Sequence, residues 1–459
     1  MIETNVIAYN QGYLEYIDRW EKIRSFINND IKKEEVWSRY LPLPFDGIKD
    51  LTPSQKARRQ NFVKNARLMN VAQRTLSTMS GMVNSKANEE QLELSSGLEY
   101  LEEDATGNDV GLLELIYDLV EEVSGFGRAG LFVDASNDNT NVEVELGARI
   151  LPYKAEQIID WSEIMIGTKK VLNMVSLLEV EQNTAIGLVY QIRTLYLDGD
   201  GLYAVDVEKF LTQNTKTESM STATYQPTAQ GQRLDFIPFV FVGSRTNNAT
   251  IDTPPIESLV DINIGHLLNS AETEESSFYL APTGFVNIGN FSIEQFREAN
   301  PEGIELGTNS IGILGEGGSF QYIQPQPSML SKELMADKQQ QMTAIGGQLI
   351  NAFTPETAEA ARIQKASDSA SLVKIVNNIE NAMLRAINYV AYFNGITTYE
   401  VKLDLDRSFA KQEIITSQDL QLLITGASVG TVAQETVDKA INSKFNFADQ
   451  DQTLNAFDD

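Results

Sequence analysis

The chain has 459 residues, 42% of them apolar and 22% charged, which is ordinary for a globular protein with a sizeable core divided into two to four subdomains. Acidic residues outnumber basic ones 64 to 36, giving a net charge of −28. A uniformly acidic surface repels phosphate backbones, which argues against sequence-specific DNA binding; a wall past which a polymer slides would tolerate such charge, but on charge alone the solubility of an acidic cytoplasmic protein is the better account. Cysteine is absent, so disulfides, thiolate metal sites and cysteine catalysis are excluded.

Met1–Asn10 has neither the basic stretch nor the apolar core of a signal peptide. Tyr13, Tyr16, Ile17, Trp20, Ile23 and Ile27 recur at helical spacing over Tyr9–Asn29. Leu41-Pro-Leu-Pro-Phe45 breaks the chain. Thr52-Pro-Ser-Gln55 is a helix start, with a capping threonine, proline at the first helical position and glutamine at capping-box distance. The spacing from Arg58 through Phe62, Ala66, Met69, Ala72, Leu76 and Met79 predicts one helix to Gly81. Its first half carries Lys56, Arg58, Arg59, Lys64, Arg67 and Arg74, the dense basic run of the chain. A solvated face or a subunit contact accounts for it better than a phosphate strip.

Leu112–Val123 reads as an amphipathic helix, followed by Gly125-Phe-Gly-Arg-Ala-Gly130 and a strand over Leu131–Asp134. Short strands are expected at Ile150–Tyr153 and Ile158–Trp161, and a β-rich stretch from Val171 to Phe241 with a hairpin turn at Asp198-Gly-Asp-Gly201. The polar Gln213–Gly231 segment reads as a mobile loop, and Ile237–Val242 as a buried strand. Residues 82–255 therefore form a mixed α/β body.

Thr253-Pro-Pro255 opens a helix over Ile256–Leu280 with Ile256, Val260, Ile264, Leu267, Ala271 and Phe278 on one stripe; roughly 25 residues give about 37 Å. Ala281-Pro-Thr-Gly284 ends it. Residues 281–327 mix strand pieces with glycines, and a second helix spans Ser328–Ile350. After a break at Thr354-Pro355, an exposed hinge at Asn351–Ala370 and a third helix to Asn394 are expected, the helix starting at Glu356 or Ser369. Its seam is Leu372, Val376, Ile379, Met383, Ile387 and Val390. Leu403–Arg407 reads as a short strand or turn, Gln418–Ile424 and Gln434–Ile441 as short helices, and Asp449–Asp459 as an acidic tail. No run of about 18 apolar residues predicts a transmembrane span.

The chemistry-bearing patterns are weak. Gly125-x-Gly127-x-x-Gly130 matches the dinucleotide fingerprint by letters, but a helix precedes it and a strand follows, the reverse of what places a pyrophosphate at a helix N-terminus. There is no phosphate-binding Gly-x-x-x-x-Gly-Lys-Ser/Thr loop. His266 is the single histidine, so paired-histidine metal sites are impossible, and it reads as a helix-packing or interface residue. Ser408-Phe-Ala-Lys411 lacks the companion motifs of serine–lysine catalysis. The acid pairs Asp134/Asp138 and Asp404/Asp406 are better explained as turns than as cation ligands. The residues thus predict no catalytic site, no cofactor and no metal.

Several segments, in order, resemble successive blocks of the bacteriophage portal proteins. They are Asn70-Val-Ala-Gln-Arg-Thr-Leu-Ser-Thr-Met-Ser-Gly-Met82, Gly127-Arg-Ala-Gly-Leu-Phe-Val-Asp134, Ala155-Glu-Gln-Ile-Ile-Asp-Trp161, Ile237-Pro-Phe-Val-Phe-Val-Gly243, Pro254-Pro-Ile-Glu-Ser-Leu-Val-Asp-Ile-Asn-Ile-Gly-His266 and Ala281-Pro-Thr-Gly284. The resemblance covers about residues 60–395. It implies an α+β subunit of a dodecameric ring at one capsid vertex. Residues 1–81 would be a helical part of the wing and 82–255 its α/β body. Residues 256–280 would be a stem helix, 281–327 a β-rich clip and 328–350 the return stem helix. A tunnel loop would follow at 351–370, a long wing helix at 371–395 and a helical crown at 396–459. The implied partners are the major capsid protein, the terminase motor, tail adaptor proteins and double-stranded DNA passing without sequence specificity, with no membrane. The implied location is the virion, after assembly in the host cytoplasm. Glu333, Asp337 and Lys338 on the return helix, and Arg362 and Lys365 near the loop, are the candidate channel-lining residues. Two other readings stand beside this one. One is another head–tail connector ring. The other is an enzyme working with paired carboxylates about 5–10 Å apart in a pocket.

Overall fold

The computed structural model describes residues 7–407, apart from 45, 85–90, 96, 136–146, 184–186, 212–218, 280–282, 302–312, 324–329, 351–357 and 406. The expected crown helices, the Ser408–Lys411 motif, Asp138 and Asp406 lie outside the described residues. The fold is mixed α/β.

Four helices form the N-terminal part: α1 (Gln11–Ile27), α2 (Glu34–Tyr40), α3 (Pro53–Asn65) and α4 (Val71–Val83). The helix expected over 52–81 is therefore two helices. Ala66 to Asn70 turn the chain, and Asn70 caps α4 by accepting from the Gln73 amide. Ser270 fixes the turn, accepting from the Arg67 amide at 3.0 Å and donating to the Arg67 carbonyl at 3.1 Å. The capping box at Thr52 and Gln55 forms as its spacing requires.

The body begins with β1 (Leu92–Leu94), α5 (Tyr100–Glu103) and α6 (Leu112–Phe126). Strands β2 (Arg128–Asp134) and β3 (Arg149–Lys154) follow, then the antiparallel meander β4 (Ile158–Ile166), β5 (Lys169–Asn183), β6 (Gly187–Leu197), β7 (Tyr203–Phe210) and β8 (Ser219–Tyr225). A small hairpin, β9 (Thr228–Ala229) and β10 (Gln232–Arg233), leads to β11 (Phe239–Gly243). Within the described residues 219–231, the expected mobile loop is instead the edge strand β8 and this hairpin. Alternating serine, threonine and tyrosine suit a solvated strand that pairs on one side only.

A three-stranded sheet in the order β11-β2-β3 separates two cores. Because successive side chains of a strand point to opposite faces, Leu131, Val133, Val240 and Val242 face one core and Phe132, Phe239 and Phe241 the other. The second core is closed by Val175, Leu177, Leu195 and Val205 of the five-stranded sheet.

The chain then forms α7 (Glu257–Tyr279), β12 (Thr283–Asn287), α8 (Ile293–Ala299), β13 (Ser319–Ile323), α9 (Leu330–Ile350), α10 (Ala358–Phe393) and β14 (Val401–Leu403). Strands β12 and β13 pair antiparallel, with Thr283 opposite Ile323 and Asn287 opposite Ser319. The expected hinge at 351–370 is shorter than its sequence suggested, because α10 is already helical at Ala358. Ala358, Ala360, Ala361, Ala366 and Ala370 are strong helix formers, and no glycine or proline interrupts them. The α10 seam of Leu372, Ile375, Val376, Ile379, Met383, Ile387 and Val390 is buried against α6 and the three-stranded sheet. Each such side chain contributes about 1.5–3 kcal/mol by leaving water. Strand β14 pairs with β1, tying the end of this helix back to the body.

Candidate functional site

Helices α7 and α9 pack against each other along much of their length, and cross-contacts set their direction. Glu272 accepts from Ser331 Oγ at 3.4 Å, Thr273 Oγ1 meets Met335 Sδ at 3.6 Å, and Lys338 Nζ donates to Asn269 Oδ1 at 2.5 Å. Gln339 Nε2 lies 3.1 Å from His266 Nε2. As the number rises on one helix it falls on the other, so the pair is antiparallel. At 1.5 Å per residue α7 is about 35 Å long. The β12–β13 pair joins the two helices at the far end, and its extensive contacts are internal to it.

The root of α7 is clamped by cations of the N-terminal helices. Arg19 forms a bidentate pair with Glu257, and Lys22 bonds Asp261 at 2.6 Å. Near the other end of α7, Arg58 of α3 bonds both Glu275 oxygens, at 2.6 and 3.1 Å. The hydrogen bond from Arg19 holds the Glu257 carboxyl below its usual range. Ile256, Leu259, Val260, Leu267 and Ala271 bury the adjacent face together with Met342 of α9. Arg128 sits beneath the segment leading to α7, 3.9 Å over the Trp161 ring, with Nη1 donating to the Ala249 carbonyl at 3.3 Å. Burial pushes its guanidinium down to about 9.

The seam between α7 and α9 is unexpectedly polar. Asn263, His266, Asn269 and Ser270 are all buried. Neither side-chain polar atom of Asn263, nor Nδ1 of His266, has a hydrogen-bond partner among the described residues. Burial first, and Lys338 second, lower the His266 pKa, so the ring is neutral at pH 7. His266 therefore packs between helices as its sequence position implied. Asn263, Asn269 and Ser270 were missed, although their spacing of three and four residues from His266 places them on one helix face.

The five charged residues singled out from sequence separate into three groups. Glu333 and Asp337 are exposed on α9 and four residues apart, so they share a face. Lys338 is half-buried and turned toward α7, where its stem fills the space left by Gly265. Arg362 and Lys365 stand on the first turns of α10, and their side chains lie outside the described residues. Beside the charged face, Leu330 and Leu334 are 62% and 39% exposed, also four residues apart. Ile293 and Ile313 expose 65% and 54% of their surface near the β12–β13 tip.

Helix α8 at this tip was not anticipated; its signal was the capping box of Ser292 with Gln295. Asn300 closes the tip, donating to the carbonyls of Phe296 and Ile313 and accepting from the Ile313 amide.

One acidic cavity offers poor ground for acid–base chemistry. This cavity of about 390 Å³ is lined by Asp118, Glu121 and Glu122. Burial raises the carboxyl pKa values of Asp118 and Glu122. Both Glu122 oxygens accept from Arg24, which also holds Glu156 and lies 3.5 Å from the centre of the Phe126 ring. The result is an ion-pair knot under α1. No group of three or more metal-ligating side chains occurs among the described residues.

A family model described as "Domain of unknown function (DUF4055)" matches residues 255–394, which run from the start of α7 to just past the end of α10. No curated protein matches the chain. Among solved structures, a chain of "Virion of native gene transfer agent (GTA) particle" is 14% identical, with 87% of this chain and 96% of that one covered at a TM-score of 0.42. A chain of "Neck of empty GTA particle computed with C6 symmetry" is 13% identical at the same coverage and TM-score. At this identity and superposition the likeness fixes neither function nor assembly.

Proposed function

We propose that this chain is the subunit of a portal ring, a dodecameric channel at one capsid vertex through which double-stranded DNA enters and leaves a virion. The observation that carries the reading is the antiparallel α7–α9 pair, braced at the root of α7 by α1 and near its other end by α3, and ended by a small β tip. A long braced helix pair can serve as a pillar, and pillars placed side by side around an axis enclose a tunnel. The exposed Leu330 and Leu334 support this, because a cyclic assembly needs a heterologous contact and an apolar helical pair can supply one. Glu333 and Asp337 then repeat in every subunit and become acidic rings that keep DNA from adhering. Their companions Arg362 and Lys365 stand on the first turns of α10, in the stretch proposed as the tunnel loop. The β12–β13 tip is the surface for the terminase motor and tail adaptors, and the α/β body is the part set against the major capsid protein. The order of the portal-like sequence blocks points the same way.

Native mass spectrometry with negative-stain imaging of the purified chain tests the proposal. Rings of about a dozen subunits with a central hole are expected. A ring without a continuous helical tunnel would favour another connector component instead. A protein that stays monomeric with scaffold and capsid partners present would overturn the ring altogether.

A further inference from the structure

The N-terminal helices carry a feature that the channel does not use. Between α2 and α3 lies a groove of about 680 Å³ with an apolar floor of Trp37, Leu51 and Val63. Its rim is cationic. Lys56 and Lys64 are exposed and form no ion pair among the described residues. Arg59 lies 5.3 Å from the Trp37 ring centre while pairing with Asp46, and Lys32 donates to the carbonyls of Val63 and Ala66. Glu34 is the one acid among the lining residues. In a chain of net charge −28, such a groove is the exception and selects for an occupant that is acidic and carries an aromatic or aliphatic anchor.

We infer that the groove is the docking site of this chain's own C-terminal segment, residues 445–459. This segment, outside the described residues, reads Phe-Asn-Phe-Ala-Asp-Gln-Asp-Gln-Thr-Leu-Asn-Ala-Phe-Asp-Asp. It holds Asp449, Asp451, Asp458 and Asp459, no lysine or arginine, and the anchors Phe445, Phe447, Leu454 and Phe457. Carboxylates meet Lys56 and Lys64 while an aromatic ring covers the Trp37 floor. Length is no obstacle, since the roughly 40 residues between Arg407 and the segment extend up to about 3.3 Å each. The exposed acids Glu102, Glu103 and Glu114 of a second copy offer charge without such anchors and fit less well. The inference stands whether or not the chain forms a ring.

The lack of native cysteine makes disulfide trapping clean. In the full chain, Gln60→Cys with Ala456→Cys places one thiol on the groove and one on the segment. Glu102→Cys with Ala456→Cys is the control, because Glu102 belongs with the core around Leu101 and Leu112 and not with the groove. Under mild oxidation at 50 mM salt, the groove pair is expected to form an intrachain link at least fivefold more often than the control. Raising salt to 500 mM, adding Lys56→Glu and Lys64→Glu, or adding Phe457→Ala should each lower that yield severalfold. The salt series needs no further substitution, so it stands even if the charge reversals disturb folding. A yield equal to the control, or one indifferent to both salt and charge reversal, would overturn the inference. So would linkage found only as dimers that vanish on dilution, which would assign the groove to another copy.

Discussion

Gly127 joins the body to the root of the helix pair, and its replacement by alanine can be worked from geometry. It follows α6 with φ at +74°, and a Cβ there would lie 2.5 Å from the Asp252 carbonyl oxygen and 3.1 Å from carbonyl carbons of Asp252 and Thr253. The left-handed backbone costs an L-residue about 1–2 kcal/mol. The contact is with backbone, which no rotamer change relieves, so residues 252–253 must move by most of an ångström; overpacking of this kind costs about 1–3 kcal/mol more. Gly127→Ala should therefore destabilise by about 3 kcal/mol. Two alanine controls separate the terms. Gly167 has φ at +64° with nothing within 4 Å, so it carries the backbone cost alone, about 1 kcal/mol. Gly47 has neither burden and should change by less than about 0.5 kcal/mol. Urea titration followed by tryptophan fluorescence reads the effect directly, since the buried Trp20 donates to the Phe126 carbonyl next to Gly127. Because residues 252–254 lead into α7, ring yield should fall further in this variant than in Gly167→Ala. A Gly127→Ala midpoint no lower than that of Gly167→Ala would refute the reasoning.

Other outcomes follow from single side chains. Arg24→Ala leaves the half-buried Glu122 and its neighbour Glu156 without their shared cation and should cost up to about 3 kcal/mol; burial raises the Glu122 pKa, so the loss should shrink as pH falls toward the carboxylate range, in urea midpoints taken across a pH series. His266 has a folded pKa below its unfolded value, so its contribution to stability is complete above about pH 6.5 and is lost as pH falls through the folded pKa. Proton NMR of the single histidine should show that lowered pKa, which Lys338→Met should bring upward, and His266→Gln should flatten the acid limb of the stability profile. Exchanging Glu333 and Asp337 for lysine should leave rings intact but slow DNA passage in a packaging assay; unaltered packaging would remove these residues from the channel wall.

Much of the fold could be read from apolar periodicity, and the misses have local physical reasons. The α10 seam and the α1 stripe were visible because burial repeats every three or four residues. The break between α3 and α4 was not, because it depends on Ser270, some two hundred positions away, bonding both backbone groups of Arg67. The strand β8 looked like a loop because an edge strand needs no apolar alternation. Of the candidate site, the exposed Glu333 and Asp337 could be chosen by helix register, whereas Lys338, one residue on, turns inward to Asn269. Sequence alone does not show which of two adjacent charges faces a partner helix.

The disposition of charge bears most directly on what the molecule can do with DNA. The basic run of the N-terminal helices looked like a possible phosphate strip. Instead Arg58 is paired with Glu275, Arg59 with Asp46, and the cations Arg19 and Lys22 of α1 with Glu257 and Asp261. These cations brace α7 and the loop beside α3, whereas Lys56, Lys64, Arg67 and Arg74 of the same run stay exposed. The outward charged face of α9 is left with Glu333 and Asp337 against Lys332. A duplex beside such a face meets weak net repulsion rather than a row of guanidinium forks. Binding polymers tightly calls for the opposite arrangement, with arginines on the open face and acids in the braces. The α9 face suits passage without retention, so in the proposed ring transport past Glu333 and Asp337 should depend only weakly on salt.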